Sequence, residues 1–248
     1  MWQRYLAEFH QRRPGITEAV LSRAYCQGGT GYEWLFEEVP PAGRLLDLAC
    51  GSAPLWPALG QQCYLGLDIS PGELALARSR GAGPLLLADA RALPLGAESV
   101  DTVVCAMALQ IITPLPTALA EIRRVLVPGG RLVALVPDRR PLHLIDPLWL
   151  GGLLGALGRP IGYPNDRALR RRLPQLLDAA GLCLADDRRR RFAYRLGTRE
   201  DADLLLSSLY LPGVSAARLR AAQRWLNALV RVRADLPVPL RRIVAVRL

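Results

Sequence analysis

Between Arg44 and Val136 short apolar runs recur at Leu45–Leu48, Tyr64–Leu67, Leu85–Ala88, Val100–Cys105 and Leu132–Val136, with helical patterns between them. Strands alternating with helices predict βαβ units and a parallel sheet. The best-marked helix opens at Ser70-Pro71-Gly72-Glu73, which combines an N-cap serine, a proline in the first turn and a glutamate three residues after the serine. It runs to Arg80 and stops at Gly81. A second helix runs from about 116 to 126 and meets a stop signal at Pro128-Gly129-Gly130. Further on, 167–180 reads as one helix closed by Gly181, followed by strands near 182–196 and 241–247 with helical patterns between them. Upstream, Trp2, Leu6 and Phe9 recur at helical spacing, and a segment from Thr17 carries Val20, Leu21 and Ala24 on one face. Thr30-Gly31-Tyr32-Glu33 has the form of a capping box ahead of Trp34 and Leu35. The expected organisation is a helical N-terminal cap over 1–43 and a main domain over 44–248. Residues 137–166 fit neither period and read as a Pro- and Gly-rich insertion lying over the pocket.

At 248 residues, with 51% hydrophobic and 22% charged positions, the chain fits a single globular domain and excludes a disordered one. The net charge of +10 suggests a polyanion partner until its origin is considered: every basic side chain is arginine, and the chain has no lysine. That usage favours a compositional bias over a nucleic-acid face. The excess is C-terminal, with 11 arginines against 12 acids through residue 137 and 21 against 10 beyond it. Its densest clusters are Arg170–Arg172 and Arg188–Arg191. Five scattered cysteines with no C-x-x-C pair indicate neither a disulfide framework nor a zinc site, so no metal is expected. The first residues contain charges and no secretory apolar core, and the apolar run 148–158 is glycine-broken and too short for a bilayer. A cytoplasmic protein without a membrane span is expected.

The candidate chemistry begins at Leu45–Gly60, LLDLACGSAPLWPALG. An apolar run ends in Asp47 and gives way to Ala49, Gly51 and Ala53, small residues that let a ligand approach the backbone beside a helix N-terminus. The next strand ends Asp68-Ile69, where a carboxylate grips a ribose diol in dinucleotide-type folds. The third strand ends in Asp89-Ala90, whose carboxylate is able to accept from an exocyclic amine such as adenine N6. Three acids thus fall at strand ends on one edge of the predicted sheet.

These motifs resemble the class I S-adenosylmethionine-dependent methyltransferases, in the subgroup containing the ubiquinone and menaquinone biosynthesis enzymes. Asp47-Leu-Ala-Cys-Gly51-Ser-Ala53 resembles the family's glycine-rich first motif, with alanine at two glycine positions. Val100–Leu109 resembles the fourth strand and its following loop, and Glu121–Leu132 the next helix and turn. The resemblance implies a Rossmann-like α/β fold with a seven-stranded, mostly parallel sheet flanked by helices. It also implies S-adenosyl-L-methionine as cofactor and S-adenosyl-L-homocysteine as product. The site carried over is Asp47, Ala49, Gly51 and Ala53 for the methionine part, Asp68 and Ile69 for the ribose, Asp89 and Ala90 for adenine, and Cys105 and Ala106 at the methyl-donor pocket.

The loop Cys105–Gln110 lacks the N/D-P-P-aromatic tetrad of nucleic-acid amino methyltransferases, and 102–120 contains no acid. An apolar wall of this kind suits an apolar or aromatic acceptor. Methyl transfer needs positioning first and a base only where the acceptor loses a proton. His143, in the insertion, is the leading base candidate, and Tyr32 and Tyr163 are further ones; His10, the other histidine, follows Phe9 in the N-terminal cap. Trp149 and its leucine neighbours read equally as a hydrophobic lid or as a packed helix. The resulting expectation is methylation of oxygen or carbon on a small, apolar or aromatic metabolite. Two alternatives are an RNA methyltransferase using the arginine-rich half and a non-methylating scaffold or cyclase that binds the same cofactor. The sequence leaves the acceptor atom and the oligomeric state open.

Overall fold

The computed structural model describes residues 2–248. Helices α1 (Trp2–Arg12) and α2 (Ile16–Leu21) open the chain, followed by a hairpin of β1 (Ala24–Cys26) and β2 (Gly29–Thr30) and by α3 (Gly31–Phe36). The βα units are β3 (Arg44–Leu48), α4 (Trp56–Leu59), β4 (Cys63–Asp68), α5 (Pro71–Ser79), β5 (Leu85–Leu87), β6 (Val100–Ala106), α6 (Leu115–Val125) and β7 (Leu126–Pro137). There follow α7 (Asp146–Leu157), α8 (Asp166–Arg171), α9 (Leu173–Ala179), β8 (Leu182–Arg195), α10 (Arg199–Ser208), α11 (Ala216–Arg231) and β9 (Asp235–Arg247).

All nine strands join one sheet in the order β2-β1-β8-β9-β7-β6-β3-β4-β5. From β7 to β5 every pairing is parallel, while β9 runs antiparallel to both β7 and β8. The seven expected strands are present as β3 to β9. The cap hairpin extends the sheet beyond them, with Ala24 opposite Tyr194. Neighbouring residues along a strand point to opposite faces, so Leu45 joins the core beneath α3, α7 and α11, and Leu46 the core beneath α6 and α9.

Three local expectations change. The stop signal at Pro128–Gly130 lies within β7, which already pairs at Leu126 with Val100 and takes up the turn as a register shift. The single helix expected over 167–180 is two, because the chain leaves helical geometry at Arg172 (φ −135°) and Pro174 restarts it in the first turn of α9. The insertion contains α7, apolar on almost every side, and this helix packs on α11 instead of serving as a lid. Trp225 Nε1 donates to the carbonyl of Trp149 at 3.2 Å. A Cβ at Gly152 would lie 2.1 Å from the Trp225 ring, so the contact requires glycine.

Part of the C-terminal arginine set is structural. Arg242 is 1% exposed, donates to the carbonyl of Trp34 and to Glu37 and Glu38, and lies 4.9 Å from the Trp34 ring centroid. Arg241 forks onto Asp187, and Arg191 onto the fully buried Asp146. Among the described residues no helix is long and apolar enough to cross a membrane.

Candidate functional site

The parallel strands β3, β4, β5 and β6 all end at one edge, and the loops leaving that edge enclose a cavity of about 720 Å³. Sheets of this type bind ligands beyond the carboxyl ends of their strands. The first wall is the loop after β3. Ala49, Gly51 and Ala53 each adopt φ of 56°, a left-handed conformation that costs an alanine about 1–2 kcal/mol. Such strain persists where the surroundings impose it. Here the Cys50 amide donates to the carbonyl of Leu67 and the Gly51 amide to Asp68 Oδ2, at 3.0 and 2.8 Å, tying the loop to the end of β4. A Cβ at Gly51 would meet nothing nearer than Glu73 Oε2 at 3.7 Å, so the backbone lies bare to the cavity.

The three strand-end acids line the cavity in different electrostatic settings. Asp47 is buried with a single partner, the Tyr64 hydroxyl at 2.9 Å. Burial pushes its carboxyl up to about 7, against the Tyr64 hydrogen bond and with help from nearby Asp68. Asp68 accepts from the amides of Ser70 and Gly51, and burial still holds its carboxyl above the ordinary range. Asp89 is half-buried and held low by the side chain of Arg91. Counting all charged side chains, the cavity wall carries six carboxylates (Glu8, Glu18, Asp47, Asp68, Glu73, Asp89) against the guanidiniums of Arg4 and Arg91. In a chain of net charge +10, this acidic lining favours a cationic ligand.

The second wall is apolar. Ala106, Met107 (φ 60°), Ala108, Ile111 and Ile112 follow β6 along the cavity. Its roof is α1, not the insertion: no residue of 137–166 lines the cavity, whereas Leu6, Ala7, His10 and Gln11 do. His143 is therefore corrected as a base candidate. It is exposed outside the cavity, and its backbone amide caps Asp146. Cys105 is wholly buried within the sheet and Ala53 faces a small alanine cluster, so neither reaches the ligand space. Ala49, Gly51, Ile69, Ala90 and Ala106 do line it, as does Tyr32. Tyr163 does not, although its ring stands 5.9 Å from that of Tyr210.

A cluster beneath α1 has no counterpart among the sequence motifs. His10 Nδ1 lies 2.8 Å from Glu73 Oε1, and His10 Nε2 lies 2.8 Å from the Tyr210 hydroxyl. The sequence signal at Glu73 points elsewhere. Ser70 caps α5 as expected by accepting from the Glu73 amide, but the Glu73 carboxylate does not complete the capping box; it accepts from His10 and from the Gly15 amide.

An acidic cavity at the strand ends, a bare small-residue loop and an apolar opposite wall form the pocket that this fold offers a ligand. The donor set fits S-adenosylmethionine: carboxylates for a ligand with ammonium and sulfonium charges, an acid at the second strand end for a diol, and an Asp-Ala pair at the third. Residues 46–134 match the methyltransferase domain family. Those residues form a methyltransferase domain, similar to that of the ubiquinone/menaquinone C-methyltransferases. One such enzyme, from Acidiphilium cryptum, is 38% identical over 140 residues, covering 51% of this chain and 56% of the relative. A malonyl-[acyl-carrier protein] O-methyltransferase from Methylococcus capsulatus is 44% identical over 101 residues, covering 38% and 37%. The chain thus spans about a third to a half of the length of these curated relatives. Among solved structures, the [4+2]-cyclase SpnF superposes with a TM-score of 0.61 at 18% identity, over 98% of this chain and 94% of that one. That likeness shows the fold alone.

Proposed function

We propose that the protein transfers a methyl group from S-adenosylmethionine to oxygen or carbon of a small apolar or aromatic metabolite. The observation that carries this reading is the cavity itself, acidic along the strand ends and apolar along the loop after β6. In this assignment the bare backbone of Ala49–Gly51 packs on the methionine part, with Asp47 and Asp68 balancing its positive charges. The oxygens of Asp68 each retain a lone pair beyond the amides they accept from, leaving capacity for a ribose diol. Ile69 flanks the ribose, and Asp89 with Ala90 faces adenine. Ala106 and the Met107–Ile112 segment form the acceptor side. The bound cofactor supplies an electrophilic methyl carbon on a cationic sulfur, and the chain orients the acceptor and excludes water around it. Arg191, Arg241 and Arg242 are taken up in internal ion pairs, so the RNA alternative rests on the exposed arginines that remain, such as Arg170–Arg172.

The test is calorimetric titration with S-adenosylhomocysteine. Asp68→Ala removes a charged hydrogen-bond acceptor, worth about 1.5–3 kcal/mol, and weakens binding by about 10- to 100-fold. Equal affinity in the variant and the unaltered protein, or no binding by either, rejects the assignment. Methyl-labelled cofactor given with an extract of the source cells then locates the acceptor. Label in the organic phase supports a small metabolite, and label in RNA overturns it.

A further inference from the structure

Glu73, His10 and Tyr210 come together from positions far apart in the chain, in a region where local rules alone would have bound Glu73 to its own helix cap. All three line the cavity that holds the strand-end acids. The turn between α1 and α2 is shaped for the contact. Gly15 sits at φ 75° with Leu76 2.8 Å from where a Cβ would stand, and its amide donates to Glu73 Oε2 at 2.8 Å. The Glu73 side chain is 4% exposed. The Tyr210 ring is fixed edge-on by Phe9 at 4.8 Å, Tyr163 at 5.9 Å and Trp2 at 6.3 Å.

The hydrogen-bond directions follow from valence. An ionised Glu73 only accepts, so His10 Nδ1 carries the proton. Neutral His10 then has only an acceptor at Nε2, so the Tyr210 hydroxyl donates to it, leaving a phenolic lone pair beside the neighbouring Thr17 hydroxyl to accept from a group in the cavity. A carboxylate–imidazole–hydroxyl array with this polarity draws protons towards the imidazole.

We propose that Tyr210, His10 and Glu73 form a proton relay that removes the hydroxyl proton of an apolar phenolic or enolic acceptor. This deepens the methyltransferase reading and rests on it for the acceptor's fate. In the step, the acceptor O–H bond breaks and its proton bonds to the Tyr210 oxygen as Tyr210's own proton passes to His10 Nε2. The acceptor keeps the O–H electron pair and becomes the nucleophile, on oxygen or on a conjugated ring carbon. The proton rests on an imidazolium beside Glu73, and no free tyrosinate forms. The charged and titratable groups facing His10 are Glu73 on α5, Asp68 at the end of β4 and Tyr210 after α10. The alternative is a latch that merely fastens α1 over the cavity.

The test uses the full chain with S-adenosylhomocysteine and 4-nitrophenol, a phenol whose anion is read by its visible absorbance. The relay raises the ratio of anion to neutral phenol in the bound probe by at least about tenfold over that in buffer at the same pH, equivalent to one unit of acidity. Tyr210→Phe and His10→Gln abolish this enhancement while S-adenosylhomocysteine affinity stays within about twofold, since neither residue is assigned to the cofactor. Nitrogen-15 spectra of the imidazoles provide a reading independent of the probe. His10 shows the Nδ1–H tautomer, no longer fixed in Glu73→Ala, which removes the acceptor, and its Nε2 signal shifts when 4-nitrophenol is added. A latch would leave probe ionisation at its buffer value. That result, undiminished ionisation in both variants, or His10 signals unmoved by millimolar 4-nitrophenol each overturns the relay. Failure of S-adenosylhomocysteine to bind while His10 responds to the phenol would sink the cofactor reading alone.

Discussion

Replacing Asp47 with asparagine tests the electrostatics of the site directly. The carboxyl is 1% exposed and meets one donor, the Tyr64 hydroxyl at 2.9 Å. Burial raises it to about 7, partly offset by that hydrogen bond and reinforced by Asp68. In the unfolded chain it titrates near about 3.9. A raised acid binds its proton more tightly when folded, so ionising it opposes folding. The penalty is absent below about pH 4, grows as the pH rises through the window and is complete above about pH 7. About three units at 1.36 kcal/mol each amount to about 4 kcal/mol. An asparagine side chain does not titrate and keeps an acceptor for Tyr64, so Asp47→Asn gains stability over the unaltered protein by an amount that widens with pH. Urea unfolding of both proteins between about pH 4.5 and 8 measures it, because ΔG extrapolates linearly with denaturant and subtraction removes the other titrating groups. A difference independent of pH would refute the argument. The same acid links stability to ligand. Binding a ligand with ammonium and sulfonium charges favours the ionised form, so titration near pH 6 releases protons, and Asp47→Asn releases fewer. Calorimetry in buffers of different ionisation enthalpy counts them.

Three further outcomes follow from contacts elsewhere. Arg191→Met strands the fully buried Asp146 carboxylate and destabilises by about 3–5 kcal/mol, with much of this restored in the Arg191→Met/Asp146→Leu double variant, both read from denaturant midpoints. Asp146 is pushed up by burial but brought below the ordinary range by Arg191 and the His143 amide, so the pair's contribution is present above about pH 4 and lost as the pH falls through the depressed value. Thr30→Ala removes the hydroxyl half of the α3 capping box, the acceptor for the Glu33 amide, and costs about 1 kcal/mol in the same assay. Binding to single-stranded RNA, read by fluorescence anisotropy, is weak at 0.15 M salt, because the exposed arginines are scattered over the surface and screened there; tight, steeply salt-dependent binding would contradict this.

What the sequence made legible is what local signals encode. The βα units from Arg44 to Pro137 combine apolar runs with N-caps and glycine stops, and the acids at their strand ends fall on one edge because parallel strands share a direction. The β1–β2 hairpin was not legible: Ala24–Cys26 is too short to show a period, and its partner Tyr194 lies far along the chain. Helix α7 carries no amphipathic stripe because its apolar surface runs nearly all round. Charge misled at the level of the whole chain. Some of the C-terminal arginines hold β8 and β9 to their surroundings, while the cavity wall carries the opposite sign. Glu73 shows the same limit at the scale of one residue. Its spacing from Ser70 satisfied a local rule so well that nothing in the sequence asked for another partner, yet the folded chain turns its carboxylate to His10 and leaves the box open. A local preference given up inside a cavity, with a buried carboxylate redirected onto an imidazole, is the pattern expected where function overrides helix capping.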